Sequence, residues 1–522
     1  MKRGRRRRQT ATRTAAWALV CIGSTFSSPH GVVSMTEAQT PTPKAARVAH
    51  PPGVRKSARP AKKPELALTV VTRQWPPLVH VRLRLKSGTF ADPSGREGQA
   101  ALCWRAAIRA GGGRSQTQFA QAMDALGGSL EVRVGRHDTL FEGMTLATEL
   151  EPFLALLADT VFRPRLAEED VAHARAQQLA DVAARYDDDD ALAHEALVRF
   201  AHRDGAAGRA ADGDPKSLAG ITAAHCVAHH RAVLRAAVPH FGFAGAITAD
   251  RAAIAVRAHF GALLTARTKV ALARNRPLTP PKVVGRRLLL LDHPGRKQAT
   301  VMLGFPTVGS KHVDQLALRL ADAVIGGSFS SRLNLRIREQ RGWTYSLHSF
   351  VRASPETGMW TVNWTPPRDV APQSLDLVMR IVELARKDGI SAAETDFGKG
   401  FLTGALRYDA DTAEAELELR MHAIALGLGA DWLDTYGARV GRLTRKAVSA
   451  ALRAHIDPSR AVAVVVGDAR TLLPALMAAQ AGFAVEVMPY RGAPESAKVV
   501  GVPVTLTPGP SPVTPVVDAK TP

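Results

Sequence analysis

Residues 326–346 read GGSFSSRLNLRIREQRGWTYS, and this stretch decides how the rest of the chain is interpreted. A turn of small residues leads into an Arg-rich helix, and Gly342 is expected to end that helix because glycine favours the position just beyond a helix C-terminus. The β-type run from Trp343 to Phe350 predicts a short strand. Arg338 and Tyr345 lie on either side of Gly342, so both side chains can point into one groove. Taken alone, the pattern is also typical of a solvent-exposed basic helix.

The stretch resembles a second-domain signature of the insulinase/pitrilysin family of zinc metallopeptidases. That signature carries Gly-Gly, Ser-Arg-Leu, a charged helix with Arg-Glu-Lys-Arg-Gly, and then Tyr. The resemblance covers about residues 66–488 and implies two homologous modules that close around an extended peptide. In the two-chain branch, which includes mitochondrial processing peptidase, one chain supplies the zinc helix and the other keeps an Arg/Tyr pair.

The resemblance also implies roles for particular residues of this chain. Arg338 and Tyr345 match the Arg/Tyr pair and are the predicted catalytic donors. Four further residues are predicted to shape the helix and the substrate-binding surface: Gly326, Gly327, Ser331 and Arg332.

Family members carry His-x-x-Glu-His on a helix of the first module, where both His bind zinc and the Glu is the general base. Here the matching positions hold Ala101, Trp104 and Arg105. Ala and Trp offer no zinc ligand, and Arg is a permanent cation. Asp181 is the nearest candidate for the distal acidic ligand. We therefore expect no metal in this chain, and zinc in a partner subunit.

Two halves of the chain follow the same plan, from strands to helices to a closing strand. The run from Leu78 to Leu85 alternates apolar and polar residues, as a half-buried strand does. The unit at 241–245 with its following helix parallels the unit at 464–468, about 220 residues later. We predict an α+β fold of two homologous α/β modules, a metallohydrolase-like duplication. Each module is expected to be a mainly antiparallel sheet with helices packed on one face.

Composition shifts place the boundaries of the segments. The predicted segments are a signal peptide (1–34), a flexible linker (35–64), an N-terminal module lacking the zinc motif (65–270), an interdomain linker (271–285), a C-terminal module with the Arg/Tyr signature (286–490) and a disordered tail (491–522).

The net charge of +22 is concentrated at the N-terminus, where residues 1–63 hold fourteen Lys and Arg against one Glu. The remainder shows no compact basic stripe interleaved with aromatic residues, which argues against nucleic-acid binding. No segment beyond the N-terminus reaches the roughly 20 apolar residues of a membrane span. Cys103 and Cys226 lie far apart in apolar helical patterns, so buried free thiols are the expectation.

The N-terminal segment is basic, then apolar at 15–23, then small and polar, which is the order of a secretory signal peptide. This predicts export to the periplasm or cell envelope. The alternative is translation from Met35, which would make the protein cytoplasmic.

Two further groups of residues contain side chains that could bind a metal ion. His225, Cys226, His229 and His230 have ligand-like spacing, but packing of the His rings against a domain face is the favoured interpretation. The acidic run 187–190 precedes a helical pattern, so helix capping is favoured over calcium binding.

These observations predict a catalytically incomplete insulinase-type subunit. It would form a heterodimer with a zinc-bearing subunit and contribute peptide binding and carbonyl or oxyanion donors to proteolysis. The alternative is a non-catalytic scaffold or peptide-binding subunit with the same fold.

Overall fold

The computed structural model describes residues 66–203, 205–236, 238–265, 279–479, 481–491 and 498–501. The predicted signal peptide, the first linker, most of the interdomain linker and most of the C-terminal tail lie outside these residues. The boundaries of the predicted segments stay predictions.

The first half of the chain forms five strands and eight helices within the described residues. In chain order they are β1 (Leu68–Thr72), β2 (Leu78–Leu85), α1 (Gln99–Ala107), α2 (Gln116–Ala125), β3 (Ser129–Val134), β4 (Thr139–Leu146), α3 (Leu150–Phe162), α4 (Glu168–Ala184), α5 (Asp189–Ala201), α6 (Pro215–Ala219), α7 (Ala223–Ala236), β5 (Pro239–Gly245) and α8 (Ala249–Thr265).

The second half repeats this plan and adds strands at its end. Its elements are β6 (Arg287–Asp292), β7 (Thr300–Val308), α9 (Gln315–Asp322), β8 (Leu347–Ala353), β9 (Thr357–Trp364), α10 (Ala371–Asp388), α11 (Ala392–Asp409), α12 (Ala413–Ala425), α13 (Trp432–Gly441), α14 (Arg445–His455), β10 (Val462–Gly467), α15 (Ala469–Ala478), β11 (Ala484–Pro489) and β12 (Lys498–Gly501). Strand β12 falls inside the predicted disordered tail, so disorder does not describe residues 498–501.

The strand order shows the duplication directly. The first sheet runs β1-β5-β2-β4-β3, and the second contains β6-β10-β7-β9-β8 with β11 and β12 added beside β6. In each sheet the first two strands of this order are parallel and the following pairs are antiparallel. The predicted α+β fold of two homologous, mainly antiparallel modules is confirmed.

One face of the second sheet packs against helices of its own module. Alternate residues of β6 and β7, such as Leu288, Leu290 and Leu303, join a core with apolar residues of α9, α10 and α14. The other face of β6, with Leu289 and Leu291, is also buried. A strand that is buried on both faces reads as a continuous apolar run, as β6 does.

The helix that covers this second face comes from the first module. Helix α5 places Leu192, Leu197 and Phe200 against Leu289 and Leu291. Asp189, at the start of α5, also pairs with His293 at 3.2 Å and with Arg296 at 3.0 Å.

The exchange is reciprocal, because α12 of the second module covers the outer face of the first sheet. Leu417 and Met421 of α12 pack on Val71 and Ala244. Arg82 of β2 is 4% exposed although its strand alternates apolar and polar residues. It is buried because α12 lies over it, and its guanidinium lies 3.3 Å from Glu418 of α12 and 3.2 Å from Glu142 of β4. The prediction of helices on one face is therefore incomplete, since each sheet also binds one helix of the other module.

We expect Leu197→Ala to lower the free energy of unfolding by about 2–5 kcal/mol, because truncating a fully buried leucine loses apolar burial and leaves a cavity. Leu197 is 1% exposed, whereas Leu384 on α10 is 48% exposed, so Leu384→Ala is the matched control. The measurement is the urea midpoint of both variants by circular dichroism. Equal midpoints for the two variants would contradict the packing of α5 on the second sheet.

Candidate functional site

Helix α1 holds Ala101, Trp104 and Arg105, the residues predicted to match the family's zinc motif, and its start is fixed by polar contacts. The carboxylate of Asp92 accepts hydrogen bonds from the N–H groups of Gly98 (3.0 Å) and Ala100 (2.9 Å). Burial raises the pKa of Asp92 to about 7. Gln178 of α4 donates to the Gly98 carbonyl at 3.1 Å, so α1 is tied to α4 at this end. Gly98 has a φ of 84°, which favours glycine.

The side chains at the three motif positions make contacts that differ from those of a zinc site. Trp104 is 1% exposed and meets Phe141 edge-to-face, with ring centroids 5.1 Å apart. Ala101 is also buried and has no donor atom. Arg105 donates from Nη1 to Oδ2 of Asp181 on α4 at 2.6 Å.

This donor set does not fit zinc. Zinc in proteins takes thiolate, imidazole or carboxylate ligands, and Asp181 is the one such group among the four residues. Its carboxylate is occupied by a guanidinium, which is cationic at every accessible pH. The Arg105–Asp181 ion pair therefore joins α1 to α4 where the family pattern would place a metal between the two helices.

Helix α1 is also joined covalently to α7. Cys103 and Cys226 form a disulfide with Cα atoms 4.9 Å apart. The expectation of free thiols is wrong, because α1 and α7 pack side by side although their cysteines are 123 residues apart in sequence.

The histidines around Cys226 make contacts within α7 and with its neighbours. Among the described residues, they do not form a cluster that could hold a metal ion. The Nδ1 atom of His225 accepts from the Thr222 N–H at 3.2 Å, and His230 Nε2 contacts the Val161 carbonyl at 2.8 Å. The favoured interpretation of packed rings is confirmed for His230. The acidic run also has its favoured role, since Asp188 caps α5 by accepting from the N–H groups of Asp190 and Ala191.

In the second module, the Gly-Gly turn is a place of close packing. Residues Ala323–Gly327 form one π-helical turn at the end of α9. A Cβ atom on Gly326 would lie 2.4 Å from the Ser349 hydroxyl, and one on Gly327 would lie 2.9 Å from the Asp322 carboxylate. A larger residue at Gly326 would clash with Ser349 of β8, and one at Gly327 would clash with the last residue of α9.

Ser331 and Arg332 hold the next segment in place. Ser331 is 1% exposed, and its hydroxyl accepts from the side chain of Asn334 at 3.2 Å. Arg332 makes a bidentate pair with Glu394 of α11 at 2.6 and 2.7 Å, and donates to the Gly389 carbonyl at 3.0 Å. This pair lowers the pKa of Glu394 to about 2. The structure thus places both residues in internal contacts that position the signature helix.

The predicted donors lie just beyond. Residues Asn334–Glu339 form a π-helical segment, a geometry that recurs at functional sites. Gly342 ends it with a φ of 63°, as predicted, and its N–H donates to the Arg338 carbonyl at 3.0 Å. Tyr345 is 93% exposed.

Phe329 belongs to the same surface and was missed by sequence reasoning. The Arg338 guanidinium lies 4.2 Å from the centre of the Phe329 ring, and this ring is 67% exposed. A guanidinium that stacks on an aromatic ring is held in place by the ring. Its N–H groups can still donate hydrogen bonds to other molecules. A lone aromatic residue within the Gly- and Ser-rich turn is the signal that could have identified it.

Comparison with models of known protein families identifies the family to which this chain belongs. Residues 69–214 match the model described as Insulinase (Peptidase family M16), and residues 220–400 match the model described as Peptidase M16 inactive domain. The chain belongs to the insulinase family. The resemblance drawn from residues 326–346 is therefore confirmed at the level of the family.

Several relatives within the insulinase family are similar over about half of this chain. An uncharacterized zinc protease of Mycobacterium tuberculosis is 33% identical over 306 residues, covering 56% of this chain and 66% of the relative. An uncharacterized zinc protease of Streptomyces coelicolor is 27% identical, covering 48% of this chain and 54% of the relative. The matches thus span less than two thirds of the length of each of these relatives, 66% and 54%.

Solved structures share the insulinase-family fold. A peptidase M16 inactive domain from Pseudomonas fluorescens superposes with a TM-score of 0.68 at 22% identity, covering 77% of this chain and 95% of that one. A chain of Complex III2 from Candida albicans superposes with a TM-score of 0.64 at 13% identity, covering 78% and 95%. Within the described residues, no helix is both long and apolar enough to cross a membrane.

The Arg332–Glu394 pair predicts a pH-dependent contribution to stability. Because the folded-state pKa of Glu394 is about 2, against an ordinary 4.5, the stabilisation is complete above about pH 4.5 and is lost as the pH falls toward 2. We expect Glu394→Gln to cost about 1 kcal/mol near neutral pH, since the pair is partly exposed to solvent. Urea unfolding between pH 6 and pH 3 measures this difference.

The control is Glu131→Gln, whose side chain is exposed on the edge strand β3. It is expected to change stability by less than about 0.5 kcal/mol at every pH. A Glu394→Gln cost that stays constant down to pH 3 would contradict the assigned pair.

Proposed function

We propose that this chain is a zinc-less subunit of an insulinase-type peptidase that works with a zinc-bearing partner chain. It would bind peptide and supply Arg338 and Tyr345 as donors to the peptide carbonyl and to the oxyanion that develops during cleavage. The observation that carries the proposal is the ion pair of Arg105 with Asp181 at the position of the metal ligands.

The partly exposed Arg338 and the exposed Tyr345 support the catalytic part of this proposal. Within the described residues, the carboxylate nearest to Arg338 is that of Glu339, with atoms 3.7 Å apart and Glu339 itself half-exposed. The donors of Arg338 are therefore not consumed by a strong internal pair. Tyr345 adds a hydroxyl on an almost fully exposed ring. An aromatic side chain with one polar end is well suited to an interface with peptide or partner.

The edge strands support peptide binding. Strand β3 lies beside α1 and, within the described residues, pairs only with β4, so one edge of the first sheet is unpaired. Strand β8 ends the second sheet in the same way and follows the signature segment. An extended peptide can add to such an edge through main-chain hydrogen bonds, which gives affinity with little dependence on sequence.

The test uses the full chain purified together with a chain of the same genome that carries His-x-x-Glu-His. We expect Arg338→Ala and Tyr345→Phe each to lower kcat/KM for a fluorogenic peptide by about a hundredfold, as loss of one oxyanion donor does. Arg341→Ala and Tyr408→Phe are the matched controls. Arg341 lies over Trp343 in the same segment, and Tyr408 is a 62% exposed tyrosine on α11.

Both outcomes of this test are informative. Loss of activity in the two variants, with unchanged co-purification, supports a catalytic contribution. Unchanged activity in both would overturn the donor roles and favour the scaffold or peptide-binding subunit.

We also propose that the chain is exported to the periplasm or cell envelope. The basic, apolar and small order of residues 1–34 supports this, and so does the Cys103–Cys226 disulfide, because disulfides persist in oxidising compartments.

Cell fractionation followed by intact-mass measurement tests export. The expected result is an envelope-fraction protein that lacks its first residues and whose mass rises by that of two hydrogens on reduction, with Cys103→Ser/Cys226→Ser showing no such rise. A cytosolic protein that begins at Met35 with reduced thiols would contradict the proposal.

A further inference from the structure

Three side chains with metal-ligand chemistry meet where α9 begins and α14 ends. His312 and Asp314 lie in the loop between β7 and α9, and His455 is the last residue of α14. The loop is anchored, because Ser310 donates from its N–H to the Ser354 carbonyl at 2.8 Å and from its hydroxyl to the Leu426 carbonyl at 2.7 Å. The three side chains are therefore presented by an ordered backbone.

The donor atoms of these residues lie close together. The Nε2 atom of His455 is 2.7 Å from Oδ2 of Asp314, and Nδ1 of His312 is 3.8 Å from the same oxygen. The two imidazole rings meet edge-to-face, with centroids 4.8 Å apart. One ligand atom from each residue fits within a span of 4.8 Å, and this is the one group of its kind in the part of the chain that the structure describes.

We propose that His312, Asp314 and His455 form a binding site for a divalent cation of the zinc class. Two imidazoles and one carboxylate are a standard zinc donor set, with the fourth position left for water. Zinc–ligand bonds of roughly 2.0–2.2 Å place tetrahedral ligand atoms about 3.3 Å apart. The 2.7 and 3.8 Å separations lie on either side of that value, and the two imidazole nitrogens lie within 4.8 Å of each other, so binding calls for shifts of about an ångström in the side chains.

Exposure of the three side chains allows both the rotations and the entry of water. The side chains of His312 and Asp314 are 39% and 38% exposed, and that of His455 is 16% exposed. Binding through Nδ1 of His312 exchanges the hydrogen bond that it accepts from the Asp314 N–H, at 3.1 Å, for the metal.

A simpler role for two of these residues is an ion pair. His455 ends α14, and its Nε2 atom lies within hydrogen-bond distance of the Asp314 carboxylate, at 2.7 Å. That pair does not need His312, whereas a metal needs all three residues. The two interpretations therefore differ in what they predict for His312→Ala.

The site is separate from the positions of the family motif. Those lie on α1 of the first module, whereas this cluster lies on the second module at the start of α9. Helix α9 leads directly into the turn Ala323–Gly327, so a bound ion would join the start of that unit to α14. The expected role is to stabilise the helix that carries the signature segment.

The test uses the full chain without an affinity tag, stripped of metal with a chelator. Cobalt(II) titration followed by visible absorption reports tetrahedral coordination, and competition with Zn²⁺ gives the affinity. We expect about one equivalent to bind, His312→Ala to weaken binding at least about tenfold, and His312→Ala/His455→Ala to abolish it. His173→Ala, an exposed histidine on α4, is expected to bind like the unaltered protein.

Circular dichroism in metal-free buffer shows that each variant is folded, so loss of binding is not mistaken for unfolding. Zn²⁺ is expected to raise the Tm of the unaltered protein and not that of the double variant, because a ligand stabilises only a state that binds it. No saturable binding, or equal binding by the double variant, would overturn the proposal.

Discussion

The exchange of one helix between the two modules is the interaction on which the rest of the structure depends. Each sheet would otherwise expose an apolar or charge-bearing face, and α5 and α12 cover these faces reciprocally. The burial of Arg82 shows the constraint most clearly, since its charge is tolerated only because Glu142 and Glu418 meet it under α12. Each module thus has one sheet face whose burial depends on a helix of the other module.

The two modules differ at the positions of the predicted sites. In the first module, helices α1 and α4 pack against each other. On that pair of helices, a guanidinium and a carboxylate form a contact that needs no metal. In the signature segment of the second module, Ser331 and Arg332 make internal contacts. Arg338 and Tyr345 lie at the surface of the same segment. The proposed division of labour rests on this contrast between the two modules.

The sequence alone predicted secondary structure well where apolar and polar residues alternate regularly. The predicted bounds of β2 coincide with those observed, because apolar and polar residues alternate along it, whereas the strand predicted from Trp343 begins only at Leu347. An apolar stripe shows that a helix packs, but not against which sheet, so the exchange of α5 and α12 could not be read from it.

The candidate site was predictable only in part, for similar reasons. The spacing of the family motif located Ala101, Trp104 and Arg105, but the pairing of Arg105 with Asp181 depends on contact between two helices that are distant in sequence. The Cys103–Cys226 disulfide and the meeting of His312 with His455 depend on such contacts too. Residues brought together by tertiary packing leave no local pattern, and the exposed Phe329 left only a weak one.

The decisive measurement is the peptidase activity of the purified chain, alone and mixed with a zinc-bearing family chain of the same genome. We expect no chelator-sensitive cleavage by the isolated chain, with or without added Zn²⁺, and clear cleavage by the mixture above that of the zinc-bearing chain alone. Chelator-sensitive cleavage by the isolated chain would overturn the zinc-less role, because the residues at the motif positions of α1 would then have to support catalysis by themselves.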